Sequence, residues 1–267
     1  MNKKIITIHS NQLDKSIRIR DLLAQKLTAS NFIVSFDINP NADLVISIGG
    51  DGSFLKTVQD SDFSQIPIIG INTGNLGFFP EIAPNEIDEF IKSYIRNDFF
   101  IEERNILECK IFSNDFHIDV FALNEIVVKG DKSRTVHLDI TVNNKNIEKF
   151  SGDGIILSSS TGSTAYNYSA GGSIVDPSLN LIQLTPLYPI NTNAYRSFTS
   201  SLIFACDSNV VIIPERDFKE SLLIVIDGIE HGFSRVSRVE TRVSERKIKL
   251  LRTSNYEFWS RVSTKFL

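Results

Sequence analysis

Along the first hundred residues the hydrophobic positions alternate between two periods. Residues 5–8 (Ile-Ile-Thr-Ile) form a short β-branched run. In residues 13–30, Ile19, Leu22, Leu23 and Leu27 share one helical stripe. Residues 32–36 read as strand again. Residues 44–48 are a near-continuous apolar run, the pattern of a strand covered on both faces. Phe54, Leu55 and Val58 predict a helix starting near Ser53, and residues 66–71 a further strand. The clearest helix spans 86–97. There Ile87, Phe90, Ile91, Tyr94 and Ile95 fall at i, i+3, i+4, i+7 and i+8, with Asn85 as the expected N-cap. Strand–helix alternation at this spacing predicts a parallel, Rossmann-like α/β sheet.

Near residue 100 the pattern changes. Strand-like runs follow at 109–112, 117–121, 125–128, 136–142, 154–158, 201–204, 210–213, 222–226, 239–243 and 247–251. Turn formers separate them, including Asn143-Asn144 and Asp227-Gly228. One helix is expected after Thr161-Gly162-Ser163. In the tail, Phe258, Trp259, Val262 and Phe266 recur at roughly helical spacing. The expected organisation is an α/β domain over 1–100, a β-rich, sandwich-like domain over 101–250, and a tail over 251–267.

Composition narrows the class. The chain has 267 residues, enough for about two domains without disulfide or metal staples. With 42% hydrophobic and 22% charged residues it is neither disordered nor fibrous. Its 28 Lys+Arg against 32 Asp+Glu leave a net charge of −4, which argues against a nucleic-acid partner. It does not argue against phosphate, which helix N-termini and backbone amides hold without net positive charge. The apolar run at 5–8 is too short for a secretory leader, and no run approaches the length of a membrane span. The expectation is a cytoplasmic protein with no membrane partner. Cys109 and Cys206, both in apolar stretches, are expected to be buried free thiols.

Three glycine-bearing segments could carry chemistry. Gly49-Gly50-Asp51-Gly52-Ser53 ends the buried strand at 44–48, where open α/β sheets place their ligand crevice. Glycines admit phosphate oxygens close to backbone N–H groups. A carboxylate repels phosphate, so Asp51 must accept a proton, hold a metal ion or cap the helix. The segment 70–79, GINTGNLGFF, follows the next strand and should lie beside the first loop, as a phosphate site or a plain turn. The third comprises Ser151-Gly152-Asp153-Gly154 and the hydroxyl-rich run 158–167, SSSTGSTAYN, suited to ribose or phosphate, or simply an exposed loop. Familiar alternatives are missing from the sequence. There is no G-x-x-x-x-G-K-[ST] loop, no G-x-G-x-x-G after the first strand, no G-x-S-x-G and no H-E-x-x-H. The four histidines show no metal-ligand spacing with the cysteines.

Taken together, GGDG-S-F-L at 49–55, GINTGNLGF at 70–78, LNE at 123–125, GDG at 152–154 and TGSTAYN at 161–167 resemble the NAD kinase family in order and spacing. The resemblance covers nearly the whole chain. It implies an α/β domain plus a β-rich domain, with the C-terminal tail returning to the first. It implies that Asp51 is the catalytic base, taking the proton of the adenosine ribose 2′-hydroxyl of NAD as that oxygen attacks the γ-phosphate of ATP. Gly50 and Gly52 would lie near the phosphates, and Asn124 and Glu125 would hold the acceptor's ribose or adenine. Asp153 would meet the nicotinamide end. Thr161, Thr164, Ala165, Tyr166 and Ser169 would wall the nucleotide, and Tyr195 and Asp227 are further positions that recur. It also implies Mg²⁺ or another divalent metal with ATP, and a homodimer or homotetramer sharing part of the NAD site between subunits. This sequence has Ser151 where the family usually has Arg, Ser53 for Thr, Ser160 for Pro and Ile229 for Gln. Lipid kinases share GGDG alone, and a nucleotide sensor could share the fold without turnover.

Overall fold

The computed structural model describes residues 3–113, 116–215 and 221–267. In chain order the elements begin with β1 (Ile5–Ser10), α1 (Asp14–Ala29), β2 (Ile33–Ser35), β3 (Leu44–Gly49), α2 (Asp51–Asp60), β4 (Ile68–Asn72), β5 (Pro80–Ile82) and α3 (Ile87–Arg96). Next come β6 (Phe100–Ser113), β7 (His117–Ala122), β8 (Glu125–Gly130), β9 (Val136–Val142), β10 (Lys145–Gly152), β11 (Gly154–Ser159) and α4 (Tyr166–Ser169). The last are β12 (Leu181–Leu187), β13 (Leu202–Ala205), β14 (Val210–Pro214), β15 (Leu222–Ile226), β16 (Ile229–Phe233), β17 (Val236–Arg252) and α5 (Phe258–Phe266). By contacts the chain forms two units, Met1–Arg104 with Lys247–Leu267, and Asn105–Arg246. It passes between them inside the long strands β6 and β17, which are continuous through the crossing.

In the first unit the strands run β2-β1-β3-β4, all parallel. Strand β5 joins β4, and Leu250 of β17 pairs with Ile68. Every residue of β3 is buried, as its unbroken apolar run requires. Leu23 and Leu27 of α1 and Ile87, Phe90, Ile91 and Tyr94 of α3 complete the core. Leu22 and Ile95, read as part of those stripes, are exposed on the helix flanks. Asn85 is not the cap of α3. A 3₁₀ turn at Pro84–Glu86 precedes the helix, and Glu86 accepts the Ala83 N–H at 2.7 Å. Helix α2 starts at Asp51, two residues earlier than expected.

The second unit is a sandwich of antiparallel sheets, β10-β9-β14-β17 with the pair β6-β7, and β13-β12-β11-β8-β15-β16. Inward residues of both, such as Phe150 and Ile212 from one and Ile155 and Ile224 from the other, form one core. The turns Asn143-Asn144 (φ 49° and 64°) and Asp227-Gly228 (φ 47° and 84°) close hairpins in the left-handed region that Asn, Asp and Gly tolerate. The Asp227-Gly228 turn leaves Ile226 paired with Ile229. Cys109 is buried, and burial pushes its thiol up to about 12. Cys206 is exposed, against expectation, because β13 is an edge strand that ends just before it. Among the described residues no helix is long and apolar enough to cross a membrane.

Candidate functional site

Each unit carries one set of polar groups. In the first, Gly49 of β3 and Asn72 of β4 are register partners, and the Thr73 N–H donates to the Gly49 carbonyl at 3.3 Å. The two glycine loops therefore leave the same sheet edge side by side. Asp51 is the first residue of α2, whose N-cap is Gly50, so its carboxylate is not a helix cap. It reaches the neighbouring loop instead. Oδ1 accepts the N–H groups of Phe78 (2.8 Å) and Phe79 (3.0 Å), and Oδ2 faces Lys265 Nζ at 3.2 Å. Gly77 is required here, since a Cβ would come within 2.5 Å of Asp51 Oδ1. Gly50 and Gly52 differ: a Cβ at either would meet nothing within 4 Å. The space beside their α-carbons is open, which leaves room for a ligand to approach. Ser53 Oγ accepts a hydrogen bond from Asn11 Nδ2 at 2.9 Å. Phe54 stacks on Phe79 at 4.8 Å and 3°, fixing α2 against the second loop.

In the second unit Glu125 opens β8, directly after Asn124, with Ser158 of β11 opposite Glu125. The Asp227 carboxylate, at the β15–β16 turn, accepts the N–H groups of Leu123 (2.8 Å), Asn124 (2.7 Å) and Glu125 (3.2 Å). The Thr161–Thr164 3₁₀ turn closes onto the same backbone. Ser159 Oγ donates to the Leu123 carbonyl (2.6 Å) and accepts the Gly162 N–H (3.1 Å). A side chain at Gly162 would collide with the Asn124 carbonyl. Thr185 and the Ser163 carbonyl hold Asn167, which is buried and structural. Three buried side-chain atoms in this region have no hydrogen-bond partner among the described residues: Asn124 Oδ1, Glu125 Oε2 and Thr161 Oγ1. Buried polar atoms are rarely left so, and three in one region make it a candidate binding surface. Burial, reinforced by the Asp227 charge, pushes the Glu125 carboxyl up to about 8. At neutral pH Glu125 is mainly protonated and can donate, while Asn124 Oδ1 can accept.

That shift has a measurable consequence. Between its ordinary value near 4.3 and about 8, Glu125 holds a proton that the unfolded chain releases. Its contribution to stability is greatest at acid pH, declines as pH rises through that window and stops declining above about 8. Glu125→Gln removes the decline. The variant should gain roughly 1–3 kcal/mol on the wild type between pH 5 and pH 8 in denaturant titrations. Parallel curves would place the raised value elsewhere.

The other expected residues separate. Thr164 is buried, Ala165 half-buried, and Tyr166 and Ser169 of α4 exposed. Asp153 is exposed and precedes Gly154, which pairs with Lys129, whereas Glu125 pairs with Ser158. It therefore lies at the far end of β11 from Glu125, roughly 16 Å along the strand. Tyr195 is near that far end. It stacks on His137 at 4.5 Å and donates to Glu215 at 3.1 Å, and His137 pairs with Ser151. Sequence reading missed Lys265, Arg261 and the Phe78 and Phe79 amides. The glycines at 74 and 77 hinted at the amides; nothing local marked the tail residues.

The fold and its loops define an α/β-plus-β architecture with two glycine-bearing turns at adjacent parallel strand ends. The family profile for the ATP-NAD kinase N-terminal domain matches residues 10–99, and that for the ATP-NAD kinase C-terminal domain matches residues 123–253. An NAD kinase of Finegoldia magna is 40% identical over 270 residues, covering 100% of this chain and 99% of that protein. An NAD kinase of Streptococcus pneumoniae is 32% identical, covering 99% and 96%. Among solved structures, yeast NADH kinase complexed with NADH superposes with a TM-score of 0.86 at 21% identity, over 99% of this chain and 88% of that one. An Archaeoglobus fulgidus NAD kinase in complex with ATP gives 0.76 at 24% identity, over 98% and 97%. The chain belongs to the ATP-NAD kinase family.

Proposed function

We propose that the protein transfers the γ-phosphate of ATP to the 2′-hydroxyl of the adenosine ribose of NAD, giving NADP, with Asp51 as general base. The observation that carries the base assignment is the Asp51 carboxylate itself. Two backbone N–H groups of the second glycine loop orient it at the start of α2, in the first glycine loop on the same sheet edge. A ribose hydroxyl is a poor nucleophile, and a positioned carboxylate takes its proton as the O–P bond forms. Gly50 and Gly52 leave their backbone open to the phosphates. Asn124, Glu125 and Thr161 bind the acceptor nucleotide through their unpartnered atoms, with Thr164, Ala165, Tyr166 and Ser169 along its wall. Asp227 serves by fixing the backbone of 123–125.

The divalent metal, Mg²⁺ in this reading, enters with ATP. Among the described residues no group of three or more His, Cys, Asp or Glu could hold a metal ion. Magnesium is commonly bound by substrate phosphates with one or two carboxylates, which suits this donor set. We also read the protein as a cytoplasmic homodimer or homotetramer. Asp153 and Tyr195 lie away from Asn124 and Glu125, as residues serving a neighbouring subunit's nucleotide would, and exposed Tyr188, Ile190 and Phe198 lie in the same segment as Tyr195.

The test is incubation of purified protein with NAD, ATP and Mg²⁺, followed by detection of NADP with a dehydrogenase that accepts only NADP. NADP formation supports the kinase. Thermal protection by NAD without turnover would make the protein a nucleotide binder. Asn124→Ala should raise KM for NAD about tenfold with kcat little changed, since it removes a hydrogen bond formed with bound substrate. An unchanged KM in a folded variant would remove Asn124 from the site.

A further inference from the structure

Helix α5, at the end of the chain, is built onto the segment that orients Asp51. Glu257 caps it, accepting the N–H groups of Trp259 (3.1 Å) and Ser260 (2.6 Å). Arg261 donates to the carbonyls of Gly77 (2.8 Å) and Pro80 (2.9 Å), either side of the Phe78 and Phe79 amides that hold the carboxylate. Phe258 and Phe266 pack on the Phe78 ring at 6.1 and 5.7 Å. These contacts fix the helix without help from Lys265. The Lys265 ammonium nonetheless lies 3.2 Å from Asp51 Oδ2 and 4.6 Å from the centre of the Phe78 ring. Its side chain keeps 31% of its exposure, so the pair is open to solvent, and such pairs add little to stability.

A carboxylate beside a phosphate site is an electrostatic obstacle to a triphosphate. Lys265 is the cation placed against it. Arg261 is already engaged with two carbonyls, and the sequence has no P-loop lysine. A lysine has a flexible four-carbon stem and three rotatable donors, so its ammonium can shift by a few ångströms while the helix stays seated.

We propose that Lys265 is a phosphate-binding residue of the transfer reaction, exchanging its ion pair with Asp51 for the terminal phosphate of the incoming triphosphate. This rests on the assignment of Asp51 given above. In the step itself the ribose oxygen bonds to the γ-phosphorus, the bond from that phosphorus to the bridging oxygen breaks, and ADP leaves. The hydroxyl proton passes to Asp51. Lys265 forms no bond and offsets charge on the moving phosphoryl oxygens.

Full-length wild type, Lys265→Met and Lys265→Arg are compared in two assays. Calorimetric titration with inorganic tripolyphosphate in magnesium buffer reads the phosphate contact without catalysis. Steady-state kinetics reads kcat and both KM values. Lys265→Met should weaken tripolyphosphate about tenfold and lower kcat/KM for ATP at least tenfold, leaving KM for NAD and the melting temperature near wild type. Lys265→Arg should recover most of both losses. Wild-type behaviour of Lys265→Met in both assays would overturn the proposal. So would failure of the wild type to bind tripolyphosphate, or a lowered melting temperature with both KM values raised, which is the signature of a helix anchor. A wild type that makes no NADP yet binds tripolyphosphate through Lys265 would overturn the kinase reading and leave the phosphate contact standing.

Discussion

Asp51→Asn should lower kcat for NADP formation by about 10²–10⁴-fold, the usual contribution of a positioned general base. The size of the loss follows from what Asn keeps. Its Oδ1 can still accept the Phe78 and Phe79 N–H groups, so the second glycine loop keeps its place. The stacked Phe54–Phe79 pair and the Gly77 approach are unchanged in volume. The variant loses the negative charge, the capacity to take the ribose proton and the ion pair with Lys265. It also loses an acid in the first turn of α2, worth about 0.3–1 kcal/mol at a helix N-terminus. Melting temperature should therefore fall by a few degrees at most. KM for NAD should stay within about twofold, because the groups assigned to the acceptor nucleotide are elsewhere on the chain. Turnover near the wild-type rate in Asp51→Asn would refute the base assignment. A matching loss of folding would make the residue structural.

The elements legible in the sequence are those whose burial is complete or one-sided. Leu44–Gly49 reads as a central parallel strand because both faces are covered. Helix α3 reads clearly because one stripe is apolar and the other charged. Strands that are exposed, mixed in composition or very short were not legible. Strand β16 is largely exposed, β10 mixes Lys, Asn and Glu with its apolar residues, and β5 is three residues long. Strand β17 is continuous over Val236–Arg252, yet its exposed middle at Glu245–Lys247 split the pattern in two. The loops were legible for a different reason. Glycine beside Asp or Asn at a strand end is a local signal, and register then set two such loops together. Contacts across long sequence distance had no such signal. Lys265 meets Asp51 over 214 residues and Asp227 meets Leu123 over 104, and neither partner carries a local mark of the other. The motif around Asp227 pointed to a turn, and the structure adds that the turn's carboxylate holds another strand's entry.

Removing that carboxylate should be the most destabilising single change in the second unit's polar site. Asp227→Ala leaves the buried N–H groups of Leu123, Asn124 and Glu125 without their acceptor. Each buried orphan donor costs about 1–3 kcal/mol, partly recovered where water or a shifted backbone reaches it, so a total of roughly 3–5 kcal/mol is expected. Asp227 also has φ +47°, which Asp and Asn tolerate better than Ala. Asp227→Asn separates the two causes. It keeps the turn and one acceptor but sets an NH₂ against a backbone donor, and should cost roughly 2–3 kcal/mol. Both are measured by denaturant unfolding at fixed pH, with the dependence on denaturant unchanged. Asp227→Asn has a second readout that a simple loss of packing would not move. The Asp227 charge helps to raise the Glu125 carboxyl, so removing it brings the Glu125 titration down from about 8. The decline of stability with rising pH should then end at a lower pH than in the wild type. If the decline ends at the same pH, burial alone holds the proton on Glu125, and Asp227 acts there only through the backbone it fixes.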